Sequence, residues 1–266
     1  MGYANGIVGN SSFPVLTLLG NSSLTSANQC FIGEDGGGDA TIIVAGTSKL
    51  TLAANWFALG NSGKGTLILS NYARATFPAD YNLGDVANGN GTLYLSDHAT
   101  NLGLTLYVAK GANSLGVVNQ SGGYLGKVAS GGGDWRIAND ATAVGTYNLS
   151  GGVFESPNNF QIGAYGSGTW NQSGGIANCG SFPVVGRFPG AAGTMTVSGG
   201  VFNQTVTGNF LIIGEEATGS LTVSNAGTVN CLGGLSISHT ATGIGTVNLD
   251  GGFLFTRIVQ SPGVAL

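Results

Sequence analysis

Three ionisable side chains occupy one repeating position of the sequence and could act together in acid–base chemistry. Arg187, Glu215 and His239 each come one residue after the small residue that ends a short apolar segment. A carboxylate and an imidazole are common general acids and bases, and a guanidinium stabilises a nearby anion. These three residues are therefore the candidate catalytic group, and they would suit the cleavage or binding of a polysaccharide.

The same position carries other charges along the chain, which supports a structural interpretation instead. Asp85 and Lys110 would be neighbours there, and so would Arg187 and Glu215, which avoids like-charge repulsion between adjacent strands. We favour this interpretation because we expect these corners to be exposed and see no second acidic cluster that converges on them. The sequence therefore predicts that the protein is not an enzyme. The full column is Glu34, Asn61, Asp85, Lys110, Asn139, Ala164, Arg187, Glu215 and His239.

The cysteines indicate neither a metal site nor a disulfide. Cys30, Cys179 and Cys231 are odd in number and include no Cys-x-x-Cys pair. Cys179 and Cys231 hold equivalent places two repeats apart, about 9.6 Å at normal strand spacing, beyond the usual disulfide reach of about 7 Å. An acidic turn at Glu34, Asp35 and Asp39 does not have the spacing of known calcium loops. We therefore predict no metal and no cofactor, and small buried roles for the cysteines.

Composition excludes several classes of partner. The net charge is −4 and only 8% of residues are charged, so the chain has no basic footprint for nucleic acid. No apolar stretch is long enough to span a bilayer, which predicts no membrane insertion. Hydrophobic residues make up 42% of the chain, which indicates a folded protein with a large core.

The elements that would position the candidate residues come from an internal repeat. Its clearest copy, the first motif, is Gly-Thr-Met-Thr-Val-Ser-Gly-Gly at 193–200. A fixed period of this size is typical of stacked repeat proteins. Copies of the first motif start at residues 15, 40, 65, 91, 116, 145, 168, 193, 219 and 245, which predicts about ten coils of about 25 residues.

Each repeat also contains a second motif: an apolar residue, any residue, an aliphatic residue and a small residue. Examples are 57–60, 135–138 and 160–163. Both motifs alternate with period two, as strands with one buried face do. In the first motif the third and fifth positions, such as Met195 and Val197, should point inward, and Thr194 and Thr196 should point outward. A weaker third strand is expected between the motifs.

Parallel strands joined in this way are nearly always right-handed, so the sequence predicts a right-handed parallel β-helix, a β-solenoid. We expect one domain over 1–266, with a partial first coil over 1–14, regular coils over 15–252 and a partial last coil over 253–266. Gln120 and Gln172 should point inward and bond to backbone. Glycine accounts for 49 of the 266 residues and should supply corners with positive φ, and the extra residues of the longest coil should form a loop over 126–134.

The first motif followed by the second resembles the repeats of autotransporter-type passenger regions and of bacterial surface proteins that carry C-terminal sorting signals. The resemblance covers nearly the whole chain and is strongest over 145–252. It implies an extracellular, cell-surface β-helix. The sequence shows neither a translocator barrel nor a sorting tail, which leaves the export route open.

These observations lead us to expect a structural or adhesive surface protein that forms a stalk or fibre. The alternative is a polysaccharide-binding or polysaccharide-degrading β-helix. The chain enters a coil over 6–9 and leaves one over 257–260 in nearly the same phase. Either the sequence is a piece of a longer solenoid, or copies stack end to end.

Overall fold

A computed structural model describes the backbone of 6–8 and, in full, residues 13–52, 56–128 and 132–262. Every element in these residues is a strand, and no helix there is long and apolar enough to cross a membrane. The strands are β1 Gly6–Val8, β2 Val15–Leu18, β3 Ser23–Ser26, β4 Cys30–Ile32, β5 Asp39–Val44, β6 Lys49–Leu52, β7 Phe57–Leu59, β8 Lys64–Leu69, β9 Arg74–Leu83, β10 Asn90–Leu95, β11 Thr100–Val108, β12 Leu115–Lys127, β13 Trp135–Ile137, β14 Val144–Ser156, β15 Phe160–Ile162, β16 Ser167–Cys179, β17 Pro183–Val185, β18 Ala192–Gln204, β19 Leu211–Ile213, β20 Thr218–Ser224, β21 Thr228–Cys231, β22 Leu235–Ile237, β23 Ile244–Asp250, β24 Phe253–Thr256 and β25 Val259–Gln260.

The strands stack into a right-handed parallel β-helix of about ten coils, as the repeat predicts. Each strand pairs in parallel with its equivalent one coil away; for example, β14 pairs with β16, and β16 pairs with β18. The first-motif glycines face each other across these pairs, since Gly145 opposes Gly168 and Gly168 opposes Gly193. The one-coil register that the sequence period predicts is therefore the register of the sheet.

The third strand of each coil takes three forms. In β14, β16 and β18 it continues directly from the first-motif strand, with a register shift near the paired glycines in most of these pairings. In the first and last coils it is separate, as in β3, β6, β21 and β24, and in β9 and β11 it continues into the second-motif strand. Ser-Gly-Gly bends the strand without ending it, because a bulge kinks a strand while the ladder resumes beyond it.

The first coil departs from the predicted start at residue 15. Val15 pairs with Thr41, so Pro14 rather than Val15 is the equivalent of Ala40. The predicted start would place Thr17 in the core and Leu18 outside, because a one-residue slip exchanges the two faces of a strand. The observed register buries Leu18 and leaves Thr17 exposed, and apolar burial therefore decides the start of this coil.

One continuous core runs through the coils. Met195 and Val197 are buried, and Thr194 is exposed, as predicted. The aliphatic position of the second motif forms a single column, fully buried except at Ile237, which is half-buried next to the last coil. The column is Ile32, Leu59, Leu83, Val108, Ile137, Ile162, Val185, Ile213 and Ile237.

Two polar side chains lie inside this core as expected. Gln120 donates to the carbonyl of Val153 at 2.9 Å, and Gln172 donates to that of Val201 at 3.0 Å, each bond reaching the next coil. Each also donates over 3.3 Å to a glycine carbonyl three residues ahead in its own coil. A buried amide is costly unless it is bonded in this way.

The longest coil and the two ends agree with the sequence in most respects. Strand β12 continues to Lys127, so the predicted loop over 126–134 begins later than expected; residues 129–131 lie outside the described part of the chain. Strand β1 pairs with β4, and β25 pairs with β22, which are second-motif strands. The first and last strands are therefore in the same phase of the coil, as predicted.

Candidate functional site

The middle residues of the second-motif strands form the floor of a groove along the rod. They alternate with core residues and therefore point away from the core. They are nevertheless buried at Ala58, Asn82, Gln161, Val184 and Ile212. An outward side chain on an uncovered strand would be exposed to solvent. The residues on both sides of these strands must therefore project further outward than the floor and form the walls of a recess. We call this recess the charged groove.

One wall of the charged groove is the column predicted from the sequence. The amide of Arg187 donates to the carbonyl of Gly163 at 3.0 Å, that of Glu215 to Gly186 at 2.9 Å, and that of His239 to Gly214 at 2.8 Å. In the same way, the amide of Lys110 donates to the carbonyl of Gly84 at 2.9 Å. These bonds fix successive members of the column one coil apart, so side chains in adjacent coils can pair.

The three ion pairs among the described residues all lie in the charged groove. Lys110 Nζ is 2.8 Å from Asp85 Oδ1, Arg136 Nη2 is 3.5 Å from Asp134 Oδ2, and Arg187 Nη1 pairs with Glu215 Oε2. Two of these pairs join adjacent coils, as the predicted charge ladder requires. The pairs neutralise one another locally, so the groove is polar with little net charge.

The expectation that these corners are exposed is wrong. The Asp85 side chain has no exposed surface, and those of Glu215 and Arg187 are 14% and 30% exposed. The groove walls and nearby rings cover them. Lys110 Nζ lies 4.8 Å from the centre of the Trp56 ring, and the Arg187 guanidinium lies 5.0 Å from that of Phe188. Such cation–π contacts partly replace the water that an exposed cation would have.

The structure brings Arg187, Glu215 and His239 together on one cleft of about 340 Å³. Ser236 Oγ and His239 Nδ1 share a hydrogen bond of 2.9 Å, which orients the imidazole. Gln161 donates to Asp134 Oδ2 at 2.6 Å, while its own oxygen is buried without a partner. The other lining residues are Asn159, Phe182, Val184 and Ile212.

This cleft is better suited to binding than to acid–base hydrolysis. Glycosidases of the usual kind use two carboxyl groups about 5–9.5 Å apart. Glu215 is the one carboxylate among the residues that line the cleft, and it is paired with Arg187. The amides of Asn159 and Gln161 and the rings and aliphatic groups beside them form a surface that alternates polar and apolar contacts.

A second concentration of polar groups lies nearer the start of the groove. Asn61 Oδ1 and both amide atoms of Asn82 are buried without a hydrogen-bond partner among the described residues, and Trp56 Nε1 lies within reach of Asp85 without forming a well-aligned hydrogen bond to Oδ2. An unpartnered buried polar group costs about 1–3 kcal/mol. Burial raises the pKa of Asp85, and the hydrogen bond and charge of Lys110, together with the nearby Trp56 N–H, lower it by less.

Sequence reasoning missed the floor and the second wall of the groove. Asn82, Arg136 and Gln161 are polar residues at the middle position of the second motif, where most other coils have apolar or small residues. Trp56 and Asp134 come just before that motif. A polar residue between two core positions could have indicated the groove floor. Alternation alone, however, predicts an ordinary exposed residue at such a position.

The cysteines lie in the core, as predicted, and the described residues contain no cluster of three or more His, Cys, Asp or Glu that could hold a metal. Cys30 opposes Phe57, and Cys179 and Cys231 both oppose Gln204 from either side. Burial raises the pKa of Cys30 to about 11 and that of Cys231 to about 12, so these thiols stay protonated and unreactive at neutral pH.

Comparison with known proteins adds no relative. No family model matches the chain, and neither a curated protein nor a solved structure matches it. The class of the protein is therefore defined by its fold, a right-handed parallel β-helix.

Proposed function

We propose that the chain is a structural and adhesive β-solenoid of the bacterial cell surface, and that its charged groove holds a polysaccharide. One observation carries this proposal: the three ion pairs of the described residues lie in one recess that follows the rod. Most of the buried, unpartnered side-chain polar atoms lie there too. They belong to Asn61, Asn82, Arg136, Gln161 and Arg187.

The shape and charge of the groove favour an extended, neutral polymer. Its cations are paired with carboxylates, so a polyanion would have to break ion pairs to gain contacts. Hydroxyl groups can both donate and accept, as the unpartnered amides require. Ring faces beside the polar groups, such as Trp56 and Phe182, provide apolar contact for sugar rings.

The proposed location rests on the resemblance of the repeats to surface-protein passengers and on the character of the remaining surface. Outside the groove, the first-motif strands of the later coils present threonine and asparagine side chains, and the asparagines bond along the ladder. Asn148 donates to Asn119 at 2.9 Å, and Asn171 donates to Asn148 at 2.9 Å. Such an uncharged, tightly bonded surface suits a stalk that carries the groove away from a cell.

Cleavage of the bound polysaccharide is the second candidate function, since Arg187, Glu215 and His239 line one cleft. The imidazole is oriented by Ser236, and a base oriented in this way could remove a proton from a sugar. Incubation with neutral and acidic polysaccharides, followed by assays for reducing ends and unsaturated products, tests it. Turnover that disappears in Glu215→Gln and His239→Gln would establish an enzyme; unchanged polymer would leave binding alone.

Retention on insoluble polysaccharides tests the adhesive proposal. We expect the chain to be retained on at least one neutral polymer, such as cellulose, chitin, starch or mannan, and to be released by soluble fragments of it. The double variant Arg187→Ala/Glu215→Ala should be retained less. Tyr94→Ala, at an exposed position of a first-motif strand, should behave as the unmodified chain does. Retention only on polyanions, or on none of these polymers, would contradict the proposal.

A further inference from the structure

Five side chains from three consecutive coils occupy adjoining positions at the second concentration of polar groups, which we call the Asp85 cluster. Its members are Trp56, Asn61, Asn82, Asp85 and Lys110. The strands align Ala58, Asn82 and Tyr107 as direct neighbours, which places the three coils side by side. Lys110 Nζ lies 2.8 Å from Asp85 Oδ1, and the same ammonium is 4.8 Å from the centre of the Trp56 ring.

Several polar atoms of the Asp85 cluster are unmatched. The oxygens of Asn61 and Asn82 lack donors, and the Asn82 N–H group lacks an acceptor. The Trp56 N–H lies within reach of the Asp85 carboxylate, but no well-formed hydrogen bond joins it to Oδ2. Asn82 has no exposed surface, so bulk water does not reach it. In native proteins nearly all buried polar groups have a hydrogen-bond partner. Several unpartnered groups in one place therefore indicate that a ligand completes their hydrogen bonds.

The mixture of donors and acceptors selects the partner. A metal cation would use the oxygens but leave the Asn82 N–H group unmatched, and the Lys110 ammonium already stands where its charge would be needed. An anion would face three oxygens. A hydroxyl group both donates and accepts, and a ring that carries several hydroxyls can satisfy both kinds of atom at once.

Lys110 provides the route of entry. Its side chain is 25% exposed while that of Asp85 is fully covered, so Lys110 is the outer member of the ion pair. Its flexible stem allows the ammonium to move from the Trp56 ring while it remains near the carboxylate. A sugar ring that replaced it would place its C–H face on the indole and its hydroxyls toward Asn82 and Asp85.

We propose that the Asp85 cluster is a sugar-binding subsite that takes one neutral, polyhydroxylated ring, with Trp56 as its stacking surface and Asn82 and Asp85 as its hydrogen-bonding floor. This subsite rests on the proposed polysaccharide binding by the charged groove. It lies outside the Arg187–Glu215–His239 cleft and adds a second point of attachment for the same polymer.

Tryptophan fluorescence tests the subsite. Trp135 and Trp170 are fully buried in the core, whereas Trp56 is half-buried beside the cluster. Titration with soluble oligosaccharides of the polymer that retains the chain should change the emission, and Trp56→Phe should abolish that change. If oligosaccharides bind but the emission of Trp56 does not respond, the subsite is wrong and the groove proposal stands. If no polysaccharide is retained, both proposals fail.

Asn82→Leu gives a second, independent measurement. The leucine removes two unmatched polar groups and one sugar contact, so oligosaccharide affinity should fall about tenfold or more while the midpoint of thermal unfolding stays the same or rises. Asn61→Ala, on the wall of the groove, is measured instead if Asn82→Leu does not fold. Tyr94→Ala is the control for both variants. Unchanged affinity together with lower stability would show that Asn82 is satisfied within the fold, which would overturn the proposal.

Discussion

At the residue scale, the glycine that begins each first motif is required by close contact rather than by its φ angle. A Cβ at Gly145 would lie 2.5 Å from the carbonyl oxygen of Val108 and 2.6 Å from a methyl group of Ile137. The expectation of positive φ holds instead at the small residue that ends the second motif, as at Gly163, where φ is 68°. The first-motif glycine therefore lets one strand pass beneath the corner of another coil.

Gly145→Ala should destabilise the protein by about 1–3 kcal/mol, because the contacts it would make are with backbone and core atoms that cannot move easily. Gly37→Ala is the matched control: a Cβ there meets nothing within 4 Å, and its effect should stay within about 0.5 kcal/mol. Denaturant unfolding measures both. Equal stability of the two variants would contradict the close-contact explanation.

Asp85 gives the stability a dependence on pH whose sign follows from its burial. Because its pKa in the folded state is raised, the folded protein holds this proton more tightly than the unfolded chain does. The stabilisation from Asp85 is therefore complete below its ordinary pKa and is lost as pH rises through the raised pKa. Relative to Asp85→Asn, which does not titrate, the unmodified chain should lose stability from acidic toward neutral pH.

Unfolding free energies of both proteins across that range are the measurement. A difference that grows in favour of the unmodified chain as pH rises would show that pairing with Lys110 outweighs burial, contrary to our interpretation.

At the element scale, the glutamines of the Gln-Ser-Gly-Gly segments support the bend between two strands of a coil. Gln172 donates to the backbone of its own coil and of the next, and it accepts from Trp170 Nε1 at 3.4 Å. Gln172→Leu should cost about 1–2 kcal/mol, because buried carbonyl groups lose their donors. Ser173→Ala, at the exposed neighbouring residue, should change little.

Thermal unfolding compares these two variants. If Gln172→Leu is as stable as the unmodified chain, the inward amide does not support the bend. Leucine and glutamine would then be interchangeable at this position, which Leu149 occupies one coil earlier.

The repeat predicts most of the strands because period and alternation are local properties of the sequence. The ten coils, the aliphatic column and the inward Gln120 and Gln172 follow from them. The start of the first coil does not, since Val-Leu-Thr-Leu fits the first motif in two registers and only burial of Leu18 chooses between them. The merging of strands across Ser-Gly-Gly likewise depends on neighbouring coils that continue the ladder.

At the scale of the whole molecule, the sequence predicts the column of the candidate site but not its recess. One-coil spacing brings Arg187 beside Glu215 and His239, as the repeat implies. Their burial depends on the walls of the groove, which bring together residues such as Trp56 and Asp134 that do not belong to either motif. Alternation assigns outward residues to solvent and contains no information about such walls.

The last described coil presents an apolar strand edge on which another coil can pair. Leu249, Phe253, Phe255 and Val259 are exposed there. A further coil of the same polypeptide or the first coil of a second copy would cover them. For the 266-residue polypeptide by itself, we expect association end to end, seen as thin unbranched fibres by electron microscopy.

Phe255→Lys should reduce this association, because a charge on the strand edge opposes pairing. Tyr94→Lys, on a side of the rod, is the control. Unmodified chains that remain monomeric at high concentration by light scattering would exclude end-to-end stacking of this polypeptide.

The central claim is that the charged groove binds a neutral polysaccharide along the rod, and calorimetric titration with oligosaccharides of increasing length tests it most directly. From Asp85 to His239 the groove covers six coil steps, about 29 Å at about 4.8 Å per coil. We predict that affinity rises with each added sugar until the oligosaccharide spans this distance and then stays constant, with one oligosaccharide bound per chain. Affinity that does not depend on length, or that Arg187→Ala/Glu215→Ala leaves unchanged, would contradict it.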